Sequence, residues 1–582
     1  MKPEEMFFIS PENVFHRQYE ALRTFCYEKK SAQEVADSYG YTLASFYSLV
    51  RDFKKKLKAE KPEMGFFITP QAGRKSNPLL KTVADKIIEL RKKYLPVDEI
   101  RVILNSQEIH VSESYIYNII KRDGFGRLPR RNKEIKKKIS STVKIEAPKA
   151  ELLGLENGKD SFSTGAAGVL CFLPIISSFG INELISKSSY PGTKTIPTLN
   201  SIMCFAALKL SSFHRYTADD SWCMDRGLGL FAGLNVLPKA AWFTSYSHRI
   251  TREMNLNFLK AMNKLWKEKG LLSDTANLDF TSIPYWGDDS HLENNWSGKR
   301  NKSLASILAV LGHDPDSGII TYGDTNIRHS NESETALEFL DFYHENGISK
   351  LKYLVFDSKF TTYKNLSNLD DEGIKFLTIR RRGKKIIEEL ENTPKSEWKT
   401  IRVEAGNGKK RTIKVLDKII YLSEYDKEIR QIAITGHGKI KPALIITNDL
   451  ALEKSLIVRK YARRWLVEKT ISEQIYFFHL NKVSSSMVIK VDFDLTMTIL
   501  AHNLYRLFAM QLEGYSHNTA SVIYDKFIRN GGKIHINHRT VNVKLKKKRN
   551  LPAILTAMNS YETIKVPWLM DKNIEFKGAS NS

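Results

Sequence analysis

Two aspartates stand in segments whose other residues are mostly apolar. Asp279 lies within TANLDFTSI (residues 275–283), and Asp357 directly follows the apolar run KYLVF. Both segments have the aliphatic and aromatic character that is typical of strands. A carboxylate inside such a strand costs free energy unless it is paired or bound to a cation. One aspartate of this kind is more typical of a turn or a cap, but two on adjacent strands indicate a site for a divalent metal ion.

The segments around these aspartates predict a mixed α/β core. SILAVLGHD and GIITYGDT are typical of two further strands joined by a Pro-Asp-Ser-Gly turn, SETALEFLDFYHENG of a helix, and KFLTIRRRG of a last strand. Three strands, a helix and two more strands are the order of an RNase H-like core. In that fold one catalytic carboxylate lies on the first strand and a second just after the fourth, where Asp279 and Asp357 stand. We therefore predict an α/β RNase H-like catalytic core over residues 273–383 and 446–515.

Short β-like runs with Gly and Asn turns fill residues 384–445, which predicts a β-rich insertion within this core. After it, ALIITND returns to the main sheet and a long helix begins near Ser455. The preceding segment, 151–272, has a helical pattern, including LGLENGKDSFS at 153–163 and an amphipathic helix over 247–270.

The N-terminal residues predict two all-α units of three short helices, over 1–60 and 77–130. In the first, Ser31 and Glu34 have the spacing of a capping box, Gly40 ends that helix, and Thr42 caps the next. In the second, Ser112 opens the third helix. Each unit resembles a helix-turn-helix DNA-binding module, although many three-helix modules bind protein instead. A basic linker is predicted over 131–150.

Positive charge is concentrated at the two ends of the chain. The formal net charge is +25; residues 1–150 hold 30 Lys/Arg against 19 Asp/Glu, and residues 521–582 hold 12 against 4. These ends are the expected contacts for a polyanion such as DNA. The basic C-terminal region, 516–582, is predicted to add a strand or hairpin that touches DNA or a partner subunit, or else a solvated edge strand. A basic tract, GRLPRRNKEIKKK, spans residues 126–138, and its candidate DNA contacts are Arg130, Arg131, Lys136, Lys137 and Lys138.

The sequence also favours a protein of the cytoplasm, associated with the nucleoid. No stretch reaches the roughly 18 uninterrupted apolar residues that a membrane span needs. The N-terminal MKPEEMFFIS carries acidic residues where a signal peptide would carry basic ones. The four cysteines are widely spaced and form no metal-binding pattern, as is typical of thiols in a reducing compartment.

Over roughly residues 275–510 the chain resembles the DDE transposases of bacterial insertion sequences whose core is split by a β-rich insertion. In that group the third carboxylate lies on a helix with a Tyr-x2-Arg-x3-Glu-x6-Lys signature. Tyr461, Arg464 and Glu468 match its first three members and fall on one helical face. Ile475 stands at the lysine position. Glu473 is the rival for the third carboxylate, although it lies about 140° around the helix from the preferred glutamate.

This resemblance implies a transposase that binds the terminal inverted repeats of its element and catalyses metal-dependent strand cleavage and strand transfer. Asp279, Asp357 and Glu468 would hold two Mg²⁺ ions, with Mn²⁺ as a substitute. Arg464 would neutralise charge on a DNA phosphate, and Tyr461 would contact terminal nucleotides. The implied partners are the terminal repeats, the target DNA and a second copy of the chain, as a homodimer on DNA.

Trp398 is the tryptophan of the predicted insertion. In some members of the group an aromatic residue there stacks on a flipped base, although a packing role is the favoured interpretation of this one.

Three other functions remain open at this point. A transposase-derived DNA-binding regulator without catalysis is the main alternative, and intact acidic residues argue against it. A tyrosine recombinase would need no metal. A structure-specific nuclease would share the core but would cut DNA without joining it.

Overall fold

The structure is a computed structural model, in which the chain divides into two compact units, Met1–Lys144 and Ile145–Ser582. Each unit is described by itself. No helix among the described residues is long and apolar enough to cross a membrane. The described residues are 7–11, 13–57, 78–92, 95–105, 107, 109–125, 148–154, 160–213, 222–284, 292–297, 302–345, 351–360, 362–404, 410–436, 442–480 and 488–579.

Short helices with local caps build the first unit. The Ser31 side chain accepts from the amide of Glu34 while the Glu34 carboxylate accepts from the amide of Ser31, which confirms the predicted capping box. Gly40 ends that helix in the left-handed conformation, and Thr42 and Ser112 cap the helices that follow them. The helices are α1 Val14–Cys26, α2 Ala32–Tyr39, α3 Leu43–Lys56, α4 Pro78–Lys92, α5 Val97–Asn105 and α6 Glu113–Arg122.

Each set of three helices has its own apolar core. Ala21, Leu22 and Phe46 are buried in the first core, and Ile100 and Ile116 in the second. The basic tract lies outside the described residues, and so do its candidate contacts Arg130, Arg131, Lys136, Lys137 and Lys138.

The second unit begins with a mostly helical segment, but its first element corrects the sequence prediction. Within LGLENGKDSFS, residues 160–164 form a strand rather than part of a helix. The amphipathic helix predicted over 247–270 is shorter, because the side chain of Thr251 caps it only at Arg252. The elements are β1 Asp160–Thr164, α7 Phe172–Ser178, α8 Ile181–Ser186, α9 Thr198–Leu210, α10 Arg226–Phe231, α11 Ala240–Ser247 and α12 Arg252–Glu268.

A mixed sheet of ten strands follows among the described residues. Five of its strands lie side by side in the order β5-β4-β2-β6-β7. Strand β2 pairs parallel with β6, and β6 pairs parallel with β7, whereas β4 is antiparallel to both β2 and β5. The elements are β2 Thr275–Pro284, β3 Asn294–Ser297, β4 Lys302–His313, β5 Ile320–Ile327, α13 Thr335–Glu345, β6 Tyr353–Val355, α14 Tyr363–Asp371 and β7 Lys375–Ile379.

Residues 384–447 extend this same sheet instead of forming a separate layer. A helix opens the segment, and strands β11, β10, β9 and β8 then continue the sheet outward from β7, all antiparallel. Trp398 packs here against the cluster that contains Leu390 and Leu416. The elements are α15 Lys384–Asn392, β8 Lys399–Glu404, β9 Lys410–Leu422, β10 Tyr425–Thr435 and β11 Ala443–Thr447.

The long helix predicted from about Ser455 is interrupted, which corrects the prediction of one continuous helical face. It forms α16 Lys454–Ala462 and α17 Trp465–Tyr476, and a further helix α18 spans Val488–Gln511. At the junction the amide of Arg464 donates to the carbonyl of Tyr461 (3.0 Å) and the amide of Val467 to that of Arg464 (3.0 Å). These bonds span three residues, so the turn is tighter than in an α-helix.

The C-terminal residues form a second sheet in the order β1-β12-β13-β15-β14. Strand β1, more than 300 residues earlier in the chain, pairs antiparallel with β12, so the tail is tied into the helical segment. Its strands β12 and β13 are interior members of the sheet, which corrects the alternative of a solvated edge strand. The elements are α19 Ala520–Ile523, β12 Gly532–Ile536, β13 Thr540–Leu545, α20 Leu551–Asn559, β14 Lys565–Val566 and β15 Lys572–Gly578.

A buried ionic cluster joins α12, β5 and α18. Arg252 pairs with Asp324 of β5 and, at 2.9 Å, with Asp492 of α18. Asn255 and Thr325 also donate to the carboxylate of Asp492. Because one guanidinium serves two carboxylates that are almost fully buried, its loss would leave two unpaired charges inside the protein.

We expect Arg252→Met to lower the free energy of unfolding of the second unit by about 3–5 kcal/mol, the cost of breaking a buried ion pair on one side. Urea denaturation followed by tryptophan fluorescence measures this. Lys264→Met, on the exposed side of the same helix, is the control. An equal effect of both substitutions would contradict a stabilising role of the cluster.

Candidate active site

Strand β2 is polar on one face and apolar on the other. Thr275, Asn277 and Asp279 alternate with Ala276 and Leu278, which are buried in the main apolar core. Successive side chains of a strand point to opposite faces of the sheet. The three polar side chains therefore form a row on the face opposite the main core.

The junction between α16 and α17 lies over this row. The side-chain amide of Asn277 donates to the carbonyl oxygen of Arg463 (3.1 Å), and Arg464 donates to the Asp279 carboxylate (2.6 Å). The Nζ atom of Lys460 lies 3.1 Å from the hydroxyl of Thr275. The polar residues of β2 thus fix the position of the helical junction, one contact for every second residue.

The parallel register of β2 and β6 brings the two predicted aspartates side by side. Asn277 is opposite Val355 at the end of the ladder. Two residues further on, the chain reaches Asp279 on β2 and Asp357 just after β6, and the charge of Asp357 adds to the rise in the pKa of Asp279. The Asp357 carboxylate accepts from the amide of Ser358 (2.6 Å) at the turn that follows β6.

An aromatic stack fastens the two aspartate-bearing segments to each other. The rings of Phe280 and Phe360 lie parallel, at 2°, with centroids 3.8 Å apart. Each ring is within three residues of one of the aspartates, on the opposite side of β2 from Asp279. The stack restricts the separation of the two carboxylates by ordinary packing.

Arg464 connects the first aspartate to the glutamate on α17. Its Nη1 atom donates to Asp279 Oδ2 (2.6 Å) and its Nη2 atom to Glu468 Oε1 (2.7 Å). Its guanidinium carbon lies 5.7 Å from the ring centre of Tyr461. The side chains of Arg464 and Asp279 are 14% and 15% exposed, whereas that of Glu468 is 54% exposed. The cluster is therefore open to solvent on the glutamate side.

The charges of this cluster act strongly on one another. Burial raises the pKa of Asp279 to about 6; Arg464 opposes this rise, whereas Glu468 and Asp357 add to it. Burial lowers the pKa of Arg464, but the neighbouring carboxylates and Tyr461 raise it by more. Burial raises the pKa of Tyr461 to about 12. The site concentrates negative charge beyond what one guanidinium neutralises.

The rival glutamate points elsewhere. The Glu473 carboxylate lies 3.1 Å from Nδ1 of His502 and accepts from the amide of Ala520. Its side chain is only 8% exposed. Glu473 therefore ties α17 to α18 and α19, whereas Glu468 is the glutamate that shares Arg464 with Asp279.

Comparison with known proteins assigns this part of the chain to a family. Residues 276–504 match the family model "Transposase DDE domain". This segment is a transposase DDE domain. No curated protein matches the chain. The structure is similar, with a TM-score of 0.29 and 12% identity, to that of a piggyBac transposase synaptic complex with hairpin DNA, over 58% of this chain and 75% of that chain.

Members of the DDE family generally use divalent metal ions. In the described part of this DDE domain, no group of three His, Cys, Asp or Glu side chains is placed to hold a metal ion. The donor chemistry nevertheless fits one, because the cluster offers carboxylate oxygens, which hard cations prefer. Burial raises the pKa of Asp279, and the nearby charges of Glu468 and Asp357 add to this rise. Arg464 occupies the space between two of the three carboxylates.

Several residues that position the site of the DDE domain had no signal in the sequence. Asn277 and the ring pair Phe280–Phe360 look like ordinary strand and loop residues until the structure brings their partners together. The polar–apolar alternation of TANLDF was the one available signal for Asn277. Asp314, in the turn between β4 and β5, has a structural role, because its carboxylate accepts from the amides of Asp316 and Ser317.

Asp279 predicts a pH-dependent stability of the DDE domain. Its pKa is raised in the folded protein, so the folded chain keeps a proton that the unfolded chain releases between about pH 4 and 6. Its contribution to stability is therefore present below this window and is lost as the pH rises through it. Asn cannot ionise, so Asp279→Asn is expected to gain about 1–3 kcal/mol over wild type between pH 5 and pH 7.

Thermal unfolding in EDTA at these two pH values measures the change. Asp341→Asn, at an exposed position of α13, is the control. A difference between variant and wild type that does not grow with pH would show that Asp279 is ionised normally.

Proposed function

We propose that the chain is an active DNA transposase, which cleaves DNA at the ends of a mobile element and joins these ends to target DNA. The observation that carries the proposal is the convergence of Asp279, Asp357 and Glu468 around Arg464 inside a transposase DDE domain. Asp279 is on β2 and Asp357 directly follows the adjacent parallel strand β6, whereas Glu468 comes from α17 and shares Arg464 with Asp279. Three carboxylates supplied by separate elements match the needs of phosphoryl transfer better than those of a structural ion pair.

The proposed core is RNase H-like. Counted along the chain, strands β2, β4, β5, β6 and β7 lie in the spatial order 3-2-1-4-5, with the first, fourth and fifth parallel. On this assignment Asp279 is on the first strand and Asp357 follows the fourth. Residues 384–445 then form the proposed insertion, which lengthens the sheet beyond the fifth strand.

The proposed cofactor is a pair of Mg²⁺ ions held by Asp279, Asp357 and Glu468. Bound there, they would activate a water or a DNA 3′-hydroxyl as the nucleophile and stabilise the leaving oxygen. The protein itself aligns the carboxylates through the register of β2 and β6. Arg464, once released from Asp279 and Glu468, is placed to bind a DNA phosphate with its two parallel donors.

Binding to the terminal repeats is proposed for the first unit, as two helix-turn-helix modules. The third helix of each set presents exposed aromatic and basic side chains, namely Tyr47 and Arg51 on α3 and Tyr117 and Lys121 on α6. Such residues suit contacts with base edges and phosphates. A homodimer that brings two element ends together is part of the same proposal.

A catalytically inactive DNA-binding regulator is the second candidate. One observation favours it: the guanidinium of Arg464 stands between Asp279 and Glu468, as in a permanent ion pair. The three carboxylates themselves favour the enzyme, because a regulator has no need of them.

The carboxylate variants test the proposed activity. On a plasmid that carries the gene of this chain with its genomic flanks, Asp279→Asn, Asp357→Asn and Glu468→Gln should each lower Mg²⁺-dependent cleavage at least about 100-fold. This follows because even changes that only reorient metal ligands cost about 10–100-fold. DNA binding, measured by mobility shift, should persist.

Glu473→Gln is the matched control for the helix, since its carboxylate contacts His502 and Ala520. It should reduce stability but keep metal-dependent cleavage. If Glu473→Gln alone is inactive, the third carboxylate is wrongly assigned. Wild type that binds DNA without cutting it in Mg²⁺ or Mn²⁺ would establish the regulator instead.

Arg464 has two expected effects of opposite sign. In Arg464→Gln the gap between Asp279 and Glu468 loses its positive charge, so Mn²⁺ should bind the DNA-free protein more tightly, by about tenfold for each 1.4 kcal/mol of competing ion pair removed. DNA cleavage should fall, because the phosphate contact is lost.

Electron paramagnetic resonance of bound Mn²⁺ measures the first effect, and the plasmid assay measures the second. Arg463→Gln, one residue away, is the control for metal binding, because its side chain pairs with Asp316 instead. Unchanged Mn²⁺ affinity in Arg464→Gln would show that the guanidinium does not compete with the metal.

A further inference from the structure

A cavity of about 570 Å³ lies beside α17, on a different side of the helix from the carboxylate cluster. Its walls come from the β4–β5 turn, the α16–α17 junction, α17, α18 and the segment before α19. A volume of this size accommodates a small organic ligand and therefore a nucleotide unit. None of the proposed catalytic carboxylates lines it.

Positive charge dominates the lining of this cavity. The cationic side chains are Arg459, Arg463, Lys469 and Arg506, and three histidines accompany them. The two acidic residues are already paired: Asp316 with Arg463 at 2.7 Å, and Glu473 with His502 at 3.1 Å. The net charge that faces the cavity is therefore positive, as a site for an anion requires.

The wall of the cavity contains a buried histidine and an arginine that is held in place by hydrogen bonds. His313 is 3% exposed, and its Nδ1 atom has no hydrogen-bond partner among the described residues. Burial lowers the pKa of His313 to about 3, with the charges of His502, Arg506 and Arg463 adding to this effect. Arg506 donates to three backbone carbonyls of the wall, which fixes its guanidinium in place.

The cavity continues along α17 into a second one of about 450 Å³. Lys469 and Glu473 line both. Exposed aromatic rings lie at the two ends of this path: Trp465, 46% exposed, in the first cavity and Tyr476, 51% exposed, in the second. Arg529 and Asp525 of the second cavity pair with each other at 3.7 Å, so the net positive charge lies in the first cavity. A cationic cavity with aromatic surfaces beside it is the usual composition of a site for single-stranded nucleic acid.

The path starts next to the carboxylate cluster. Arg463 and Arg464 are neighbours at the helical junction, but their side chains diverge: Arg464 reaches Asp279, and Arg463 reaches Asp316 at the mouth of the cavity. A DNA strand that leaves the carboxylates can therefore enter the path within one residue of the junction.

We infer that this path along α17 binds a DNA single strand, with a backbone phosphate at Lys469 and the cations of the first cavity and a base stacked on Trp465. The inference rests on the proposed function, because it gives one strand of the cleaved DNA its route out of the active site. It adds a strand-binding site on a separate face of the helix that carries Glu468.

Binding of a labelled thymidine oligonucleotide to the full-length protein, followed by fluorescence anisotropy across a range of salt concentrations, tests the inference. Lys469→Gln should lower the slope of log affinity against log salt by about 0.7, the value for one phosphate contact on a single strand. Asp316→Asn should raise the affinity, because it frees Arg463. Trp465→Ala should weaken binding about tenfold while Trp465→Phe keeps most of it, since both aromatic rings stack on bases.

Lys264→Gln and Asp341→Asn, at exposed positions of α12 and α13, are the matched charge controls and should bind as wild type does. The inference is overturned if the oligonucleotide does not bind, if Lys469→Gln and Trp465→Ala bind normally, or if the controls change as much as the path variants. Should these variants bind normally while wild type still cleaves the plasmid, the path fails and the transposase proposal stands.

Discussion

The charge balance at Asp279 is the constraint on which the rest of the site depends. A carboxylate on a central strand, mostly removed from water, is unstable as an anion unless a positive charge accompanies it. Two further carboxylates stand close enough to raise its pKa still more, so the cluster needs a cation that is always charged and can reach two acids at once. An arginine with its planar fork meets both requirements, whereas a lysine would bind as a single point charge. Arg464 supplies this cation, and in doing so it holds α17 against the sheet.

The backbone around Arg464 follows from this requirement. A continuous helix from Lys454 to Tyr476 would direct Arg463 and Arg464 only about 100° apart and would run straight past β2. The tight turn at the junction instead lets Asn277 bind the carbonyl of Arg463, which anchors the turn on the same row of side chains that contains Asp279. The turn therefore joins the helices to strand β2 through this hydrogen bond. It also separates the two arginines, one for the carboxylates and one for the neighbouring cavity.

Local patterns explain which parts of this arrangement could be predicted from the sequence. The capping box, the strand around Asp279 and the apolar run before Asp357 depend on near neighbours in the chain, and their elements were predicted correctly. The helical prediction for residues 160–164 was wrong. These residues form a strand because they pair with β12, far away in sequence, and an alternation of five residues by itself does not reveal such a partner. The helical break was also missed: the side chain that binds the carbonyl at the break, Asn277, lies on another element. For the same reason the sequence indicated three acids but not the arginine geometry that joins two of them.

On the proposed mechanism, the same arginine couples metal binding to DNA binding. A metal ion and the guanidinium compete for the oxygens of Asp279 and Glu468, while a DNA phosphate and these carboxylates compete for the guanidinium. Each ligand therefore removes part of the cost that the other must overcome, and by linkage the effect is equal in both directions. On this mechanism the DNA-free protein keeps Asp279 and Glu468 paired with Arg464 and would bind metal less tightly than the DNA complex. A phosphate that draws Arg464 away would free both carboxylates for metal. An ion pair that looks inhibitory in isolation is, in this reading, the element that restricts metal-dependent cleavage to a strand already in place.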